Sequence, residues 1–228
     1  MITIGMTNSE IVKELNSIED TLVSRLNEYW KKFGRKLKSE DYGHNAVLGV
    51  QEDVINGNRV VLCFQKVVYT DQLSDLRVSK MVITEDNYAF LSVRNESGDL
   101  VFIRFSNHAI DRIYERGGMT LQDFFVNEFV RKAGTSLCLI KYEGHGKTDF
   151  NYTMTIGECY FIVAIHDNRI DVVTDLDWSI LFKNQMALYV KSKSCAEKFA
   201  NKTYDKDAVI LKGIGIKNTK DLLRVMCV

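Results

Sequence analysis

The sequence predicts an α+β fold, in which an antiparallel β-sheet packs against helices, with a long N-terminal helix and a helical C-terminal tail. Two patterns predict this class: helical periodicity near the start of the chain, and later groups of short β-branched and aromatic runs. With 228 residues, 46% of them hydrophobic, the chain can bury a substantial core. Changes in residue composition and charge along the chain suggest three segments, residues 1–97, 98–178 and 179–228.

The first predicted element is an amphipathic helix. Asn8 and Ser9 are N-cap candidates, and apolar residues recur at helical spacing from Ile11 onward. We therefore expect one continuous helix that runs towards Lys38. Cations complement the negative end of a helix dipole, and we favour this interpretation over a nucleic-acid patch for the basic residues near its end. These residues are Lys31, Lys32, Arg35, Lys36 and Lys38.

A loop-rich passage, marked by Gly43, Gly49 and Gly57, is expected to follow this helix. The next segment is rich in β-branched and aromatic residues, and turn residues divide it into four candidate strands. An antiparallel meander is the most economical arrangement of strands joined by short turns. The candidate strands are Arg59–Tyr69, Val78–Thr84, Tyr88–Arg94 and Asp99–Phe105, with a hairpin turn at residues 95–99.

Two helices and four more strands are predicted for the middle segment. The first helix begins near His108 and stops at two glycines; the second begins at Thr120, an N-cap candidate with Asp123 three residues later. Its aromatic residues are expected in the core, namely Phe124, Phe125 and Phe129. The strands cover residues 136–142, 150–156, 158–166 and 169–175, and the tail is expected to be helical over 177–204 and again from 218.

The first of these helices carries a histidine and two arginines at a spacing of four residues. Positions four apart drift by only about 40° around a helix, so His108, Arg112 and Arg116 share one face over roughly 12 Å. A titratable ring beside two fixed cations could move a proton while charge on a phosphoryl group is neutralised. The alternative is a solvated helix in which Asp111 and Glu115 form salt bridges with these cations.

Residues 98–178 resemble the toxin ribonuclease domains of the RelE, BrnT and barnase-like group. The resemblance lies in an H-A-x-x-R-x-x-E-R signature, here His108-Ala109, Arg112 and Glu115-Arg116, and in a late strand that ends near Thr174. It implies a four-stranded antiparallel sheet on two helices and cleavage of RNA without a metal. The resemblance is also compatible with an inhibitory protein partner.

The resemblance further implies catalytic roles for four residues. His108 would titrate, Arg112 and Arg116 would stabilise the pentavalent phosphate, and Thr174 would orient an oxygen. His166, beside a predicted hairpin turn, is interpreted as a surface histidine, with a second proton-transfer group as the alternative.

A second motif lies in the tail, the most basic part of the chain. Residues 179–228 contain ten basic and four acidic residues, whereas residues 98–178 contain eight and twelve. Residues 211–223 resemble the turn of helix-hairpin-helix modules, which present backbone amides to a nucleic-acid phosphate. The alternative is an ordinary glycine-rich turn. The candidate binding residues are Lys212, Gly213, Gly215, Lys217 and Lys220.

Cysteine spacing and hydropathy further narrow the classes of protein to which the chain can belong. Five separated cysteines form no metal-ligand pattern, so we expect reduced, mostly buried thiols, no metal and no cofactor. No apolar run reaches the roughly 20 residues that span a bilayer, and the start lacks a secretory signal, so we expect a cytoplasmic protein. Two hypotheses remain: a toxin-like ribonuclease, active or degenerate, and a non-enzymatic module that binds nucleic acid or protein, the tail making the contacts.

Overall fold

A computed structural model gives the fold of most of the chain, as two compact units, Met1–Ser92 and Val93–Cys227. Each unit contains helices and β-strands, so the α+β prediction is confirmed. The structure describes residues 1–3, 5–43, 46–70, 73–94, 100–132, 136–141, 152–166, 169–176, 186–187, 190 and 225–226.

Two helices, α1 (Asn8–Ser24) and α2 (Leu26–Lys38), open the first unit. The prediction of one continuous helix is therefore not confirmed, because the helical hydrogen bonding is interrupted at Arg25. The Arg25 guanidinium lies 2.7 Å from an Asp53 carboxylate oxygen, a tertiary contact that the helical periodicity does not encode. Thr7, rather than Asn8 or Ser9, is the N-cap, and it forms a capping box with Glu10.

Four strands form an antiparallel meander in the first unit. Three of them match the predicted strands, while the first lies in the passage that was expected to be a loop. Asn56 and Gly57, both with positive φ, form the tight turn between the first two strands. The strands are β1 (Val47–Ile55), β2 (Asn58–Thr70), β3 (Leu73–Ile83) and β4 (Ala89–Arg94).

The core of the first unit forms where α2 packs on this sheet. The ring of Phe64, on β2, lies 4.9 Å from the Tyr29 ring and 4.5 Å from the Phe33 ring, measured between centroids. Gly49 on β1 permits this packing, because a Cβ there would lie 2.9 Å from Phe33 Cε1. The glycine thus marks a close approach of helix and strand.

The second unit alternates from strand to helices and back to strands. Its helical part is α3 (Asn107–Gly117), then the short α4 (Leu121–Asp123), which continues as a π-helical segment (Phe124–Lys132). Thr120 caps α4 as predicted, with Asp123 completing a capping box. The strands are β5 (Leu100–Phe105), β6 (Ser136–Lys141), β7 (Tyr152–Ile156), β8 (Cys159–His166), β9 (Arg169–Asp175) and β10 (Val225–Met226).

The sheet of the second unit is mixed, which corrects the expectation of a wholly antiparallel sheet. Strands β6 to β9 follow one another as antiparallel neighbours, and β10 is also antiparallel to β6. Strand β5 instead lies parallel to β9, with Arg104 opposite Asp171. A parallel pair needs a long crossover, and here the chain between β5 and β9 supplies it.

Three phenylalanine rings form the centre of the second unit's core. Phe105, Phe124 and Phe161 make mutual edge contacts, with ring centroids 5.4 to 5.8 Å apart. Phe125 and Phe129 are also buried and stack on each other with ring centroids 6.0 Å apart, so the predicted aromatic core of the second helix is confirmed. Burial of such rings provides much of the apolar stabilisation of a small domain.

Several sequence predictions lie outside the described residues. They are the hairpin turn at 95–99, the turn at 167–168, most of the predicted tail helices at 177–204 and from 218, and the whole glycine-rich motif at 211–223. Val225 and Met226, within the second of these predicted helices, instead form strand β10, which pairs with β6. Among the helices that the structure does describe, none is both long and apolar enough to cross a bilayer.

Candidate functional site

The helix α3, which carries the predicted His/Arg/Arg face, forms where the sequence places it. Ser106 is its N-cap and accepts a hydrogen bond from the Ala109 N–H at 3.2 Å. Gly118 ends the helix in the left-handed conformation, as the pair of glycines predicted. Ala109 and Ile113 are buried against the unit's own sheet, so the polar side of α3 faces outward.

His108 lies in the first turn of α3 and is exposed. Within the described part of the chain, no hydrogen bond or ion pair holds its imidazole. The ring is therefore accessible to a ligand that approaches this end of the helix.

Arg112, one helical turn further on, is paired with Glu115. Its Nη1 lies 2.5 Å from the Glu115 Oε2, and the two side chains are 37% and 55% exposed. An ion pair this open to water contributes about 0–1 kcal/mol, so it holds the guanidinium only weakly. This contact is the kind of salt bridge that the solvated-helix alternative predicts.

Arg116 and Thr174 come together at the end of β9. The Arg116 guanidinium and the Thr174 hydroxyl both donate a hydrogen bond to the backbone carbonyl oxygen of Asp175, the latter at 3.2 Å. Two of the four residues that the resemblance assigns to catalysis therefore meet at a carbonyl of the protein itself. The contact ties the C-terminal end of α3 to the sheet.

The structure thus divides the four predicted catalytic residues into two groups. His108 and Arg112 project from the outer surface of α3, whereas Arg116 and Thr174 share one acceptor on β9. Lys212, Gly213, Gly215, Lys217 and Lys220, the predicted phosphate-binding residues of the tail, lie outside the described residues.

A cluster around Asp171 was not predicted from the sequence. Arg104 forms two bonds with its carboxylate, at 2.8 and 3.0 Å, and the Arg169 Nε lies 3.1 Å from Oδ2. The His166 Nε2 is 3.5 Å from the same oxygen, with half of the imidazole exposed. Arg169 and Asp171 are two residues apart on one strand, so the sequence indicates that their side chains lie on the same face of the sheet. Arg104 reaches the Asp171 carboxylate only because β5 lies parallel to β9, and the sequence does not indicate this pairing.

The described residues contain no group of three histidine, cysteine, aspartate or glutamate side chains arranged to hold a metal ion. Of the five cysteines, Cys63, Cys138 and Cys159 lie in described strands, and the thiols of Cys63 and Cys159 are buried, as expected. Comparisons with protein-family models, with curated proteins and with solved structures found no match to this chain.

Proposed function

We propose that the second unit binds RNA and cleaves it without a metal, using the outer surface of α3. One observation carries this proposal: His108 and Arg112 lie one turn apart, about 6 Å along the helix axis, and both are open to solvent. An imidazole and a guanidinium at this separation can contact the same phosphodiester.

The proposed chemistry is an internal transfer at phosphorus. A base removes the ribose 2′-OH proton, the 2′-oxygen forms a bond to the adjacent phosphorus, and the bond from phosphorus to the 5′-oxygen breaks. The leaving 5′-oxygen takes up a proton from solvent water, and the product strand ends in a 2′,3′-cyclic phosphate. His108 serves as the base that removes the 2′-OH proton, since its imidazole is exposed at the start of α3.

The arginines take different parts in this proposal. Arg112 exchanges its exposed contact with Glu115 for the phosphate, and it stabilises the negative charge that grows on the phosphoryl oxygens. Arg116 acts as a positioning residue, because its guanidinium is engaged by the Asp175 carbonyl together with the Thr174 hydroxyl. It fixes the direction in which α3 presents the other two side chains.

A non-enzymatic binding module is the second candidate. The observation that favours it is that Arg112 and Arg116 both have partners within the protein, which leaves His108 as the free member of the predicted face among the described residues. In this alternative α3 is a structural helix, and the basic C-terminal tail, residues 179–228, contacts the nucleic acid or protein.

Cleavage of RNA in the presence of a chelator distinguishes the two candidates. The purified full chain should cut a mixed-sequence RNA in EDTA and leave cyclic phosphate ends. His108→Ala should slow the cut by about 100-fold or more, the usual contribution of a proton-transfer residue, with an unchanged circular dichroism spectrum. Asn107→Ala is the matched control, since Asn107 is the exposed neighbour of His108 on α3.

Two results would overturn the enzymatic proposal. One is RNA that stays intact across a range of sequences, and the other is cleavage that His108→Ala leaves at the rate of the Asn107→Ala control. Either result would favour the binding module.

A further inference from the structure

The first unit exposes a row of cations on α2. Lys31, Arg35 and Lys38 are spaced by four and three residues, so they lie along one face of the helix over about 10 Å. All three are exposed, and within the described residues none of them takes part in a hydrogen bond or an ion pair. We call this row the α2 cationic stripe.

Two further lysines flank the stripe and are held in place by β1. The Lys32 Nζ lies 2.5 Å from the Gln51 side-chain oxygen, and the Lys36 Nζ donates to the Leu48 carbonyl at 2.7 Å. The helix contains five basic residues and one acidic residue, Glu28. Its positive charge therefore exceeds its negative charge by a wide margin.

The helix dipole does not account for all of these cations. Its favourable interaction with positive charge is confined to the last turn, which includes Arg35 and Lys38 but not Lys31. Exposed like charges along one helix face repel each other, so binding of an anionic partner that neutralises them is electrostatically favourable.

The opposite side of α2 argues against a membrane as that partner. Helices that lie in a bilayer interface insert an apolar face. The apolar face of α2 consists of Tyr29, Phe33 and Leu37, and all three side chains are buried within the unit. What remains outside is a charged surface and, about 100° around the helix from Lys31, the ring of Trp30, which is 37% exposed.

We infer that the α2 cationic stripe, together with Trp30, binds the phosphate backbone of single-stranded RNA. Lysine and arginine neutralise successive phosphates, and an exposed indole can stack on a base without reading its sequence. The choice of RNA rests on the function proposed for the second unit. The stripe itself belongs to the first unit, so its binding can be measured independently of cleavage.

Binding should be measured on the full chain bearing His108→Ala, so that the RNA remains intact. A fluorescent single-stranded RNA is titrated by anisotropy between 50 and 200 mM salt, a range in which phosphate contacts weaken strongly. In this background we expect the variant Lys31→Gln/Arg35→Gln/Lys38→Gln to bind at least about 10-fold more weakly at the lowest salt. The slope of log K against log salt should fall by about 2, since each lost phosphate contact accounts for about 0.7.

A matched control removes the same charge elsewhere in the chain. It carries Lys13→Gln, Arg77→Gln and Arg131→Gln, three positions that lie away from α2 in the sequence. The cations of the tail are unchanged in both triple variants. We expect the control to retain affinity within about threefold and to keep its salt slope, because contacts rather than net charge set that slope.

Equal losses in the two triple variants would overturn the inference, because net charge alone would then explain binding. Absence of RNA binding by the parent would also overturn it, as would a stripe-dependent binding to anionic phospholipid vesicles with RNA binding unaffected. Cleavage by the chain with His108 intact is assayed separately. RNA binding that depends on the stripe, without cleavage, supports the inference and overturns the enzymatic proposal. Cleavage of RNA, with unchanged RNA binding by the stripe variant, supports the enzymatic proposal and overturns the inference.

Discussion

The Arg116 guanidinium on α3 donates a hydrogen bond to the backbone carbonyl oxygen of Asp175, 59 positions later in the chain. The bond joins the last turn of α3 to the last residue of β9. It uses a side chain that the sequence motif assigns to a phosphate. The H-A-x-x-R-x-x-E-R pattern therefore includes a residue whose contact in this fold is structural.

Replacing Arg116 should destabilise the second unit. We expect Arg116→Ala to lower the free energy of unfolding by about 1.5 kcal/mol, because a charged hydrogen bond to a partly buried carbonyl is lost. Arg112→Ala is the control, with a loss below about 0.5 kcal/mol for an exposed pair within one helix. Urea unfolding followed by circular dichroism measures both. Equal losses would show that the contact with Asp175 adds nothing.

Gly157, in the turn between β7 and β8, should not tolerate a side chain. Its φ is +58°, and an added Cβ would lie 3.0 Å from the Glu128 Cα. The Glu128 carboxylate also accepts the Glu158 N–H at 2.8 Å, which holds the turn against the π-helical segment. We expect Gly157→Ala to cost about 2–4 kcal/mol of stability, from left-handed strain and overpacking together.

Gly118→Ala is a matched control for this glycine. Gly118 has a φ of +61°, but no heavy atom lies within 4 Å of an added Cβ. Only the backbone strain remains, about 1–2 kcal/mol. Thermal unfolding that ranks the two variants equally would contradict the packing argument.

Tyr29 should make the first unit sensitive to alkaline pH. Burial raises the pKa of its hydroxyl above the ordinary value of 10.0, although the nearby Arg25 opposes part of the rise. Above about pH 10 the unfolded chain therefore loses this proton before the folded chain does, and the free energy of unfolding falls as the pH rises. Below that pH the hydroxyl is protonated in both states, and the effect vanishes.

The variant Tyr29→Phe isolates this contribution. Urea unfolding between pH 8 and pH 11 should show that the variant loses less stability over the alkaline part of the range than the parent. Lysines and the other tyrosines titrate alike in both proteins. Two stability curves that stay parallel throughout would contradict the assignment.

The Asp171 cluster should be sensitive to loss of its single negative charge. We expect Asp171→Asn to cost about 2 kcal/mol, because Arg104 and Arg169 would then face each other without the carboxylate between them. Asp111→Asn, an exposed change on α3, should shift stability by less than about 0.5 kcal/mol. The double variant Asp171→Asn/Arg104→Ala should lose less stability than the sum of the losses in the two single variants. Strictly additive losses in this double-mutant cycle would argue against coupling between the two residues.

The elements with a strong local signal could be predicted from the sequence. Helix α3 has the expected cap at its end, α4 has Thr120 as its N-cap, and the strands β7 to β9 lie within a few residues of their predicted bounds. Strand β1 was missed because Gly49 and Gly57 were interpreted as loop residues. The dipeptide Asn56-Gly57 is a strong hairpin signal, and it could have identified the strand.

The elements that depend on distant contacts could not be predicted in the same way. The break at Arg25 is accompanied by a contact with Asp53, and the π-helical segment after Asp123 has a pitch that the usual helical period does not indicate. The parallel pairing of β5 with β9 joins residues far apart in sequence. Such pairing depends on which surfaces meet, and a local pattern contains no information about it.

The sequence by itself determined the α+β class, the aromatic core of the second unit and the position of His108 in the first turn of a capped helix. Local propensity, capping and periodicity are sufficient for these features, since each one depends on residues within a few turns of chain. Only the tertiary structure decided that Arg116 and Thr174 share the Asp175 carbonyl and that Arg104 joins Asp171. The physical reason is that a guanidinium binds any acceptor within its reach, and the fold alone sets which acceptors those are.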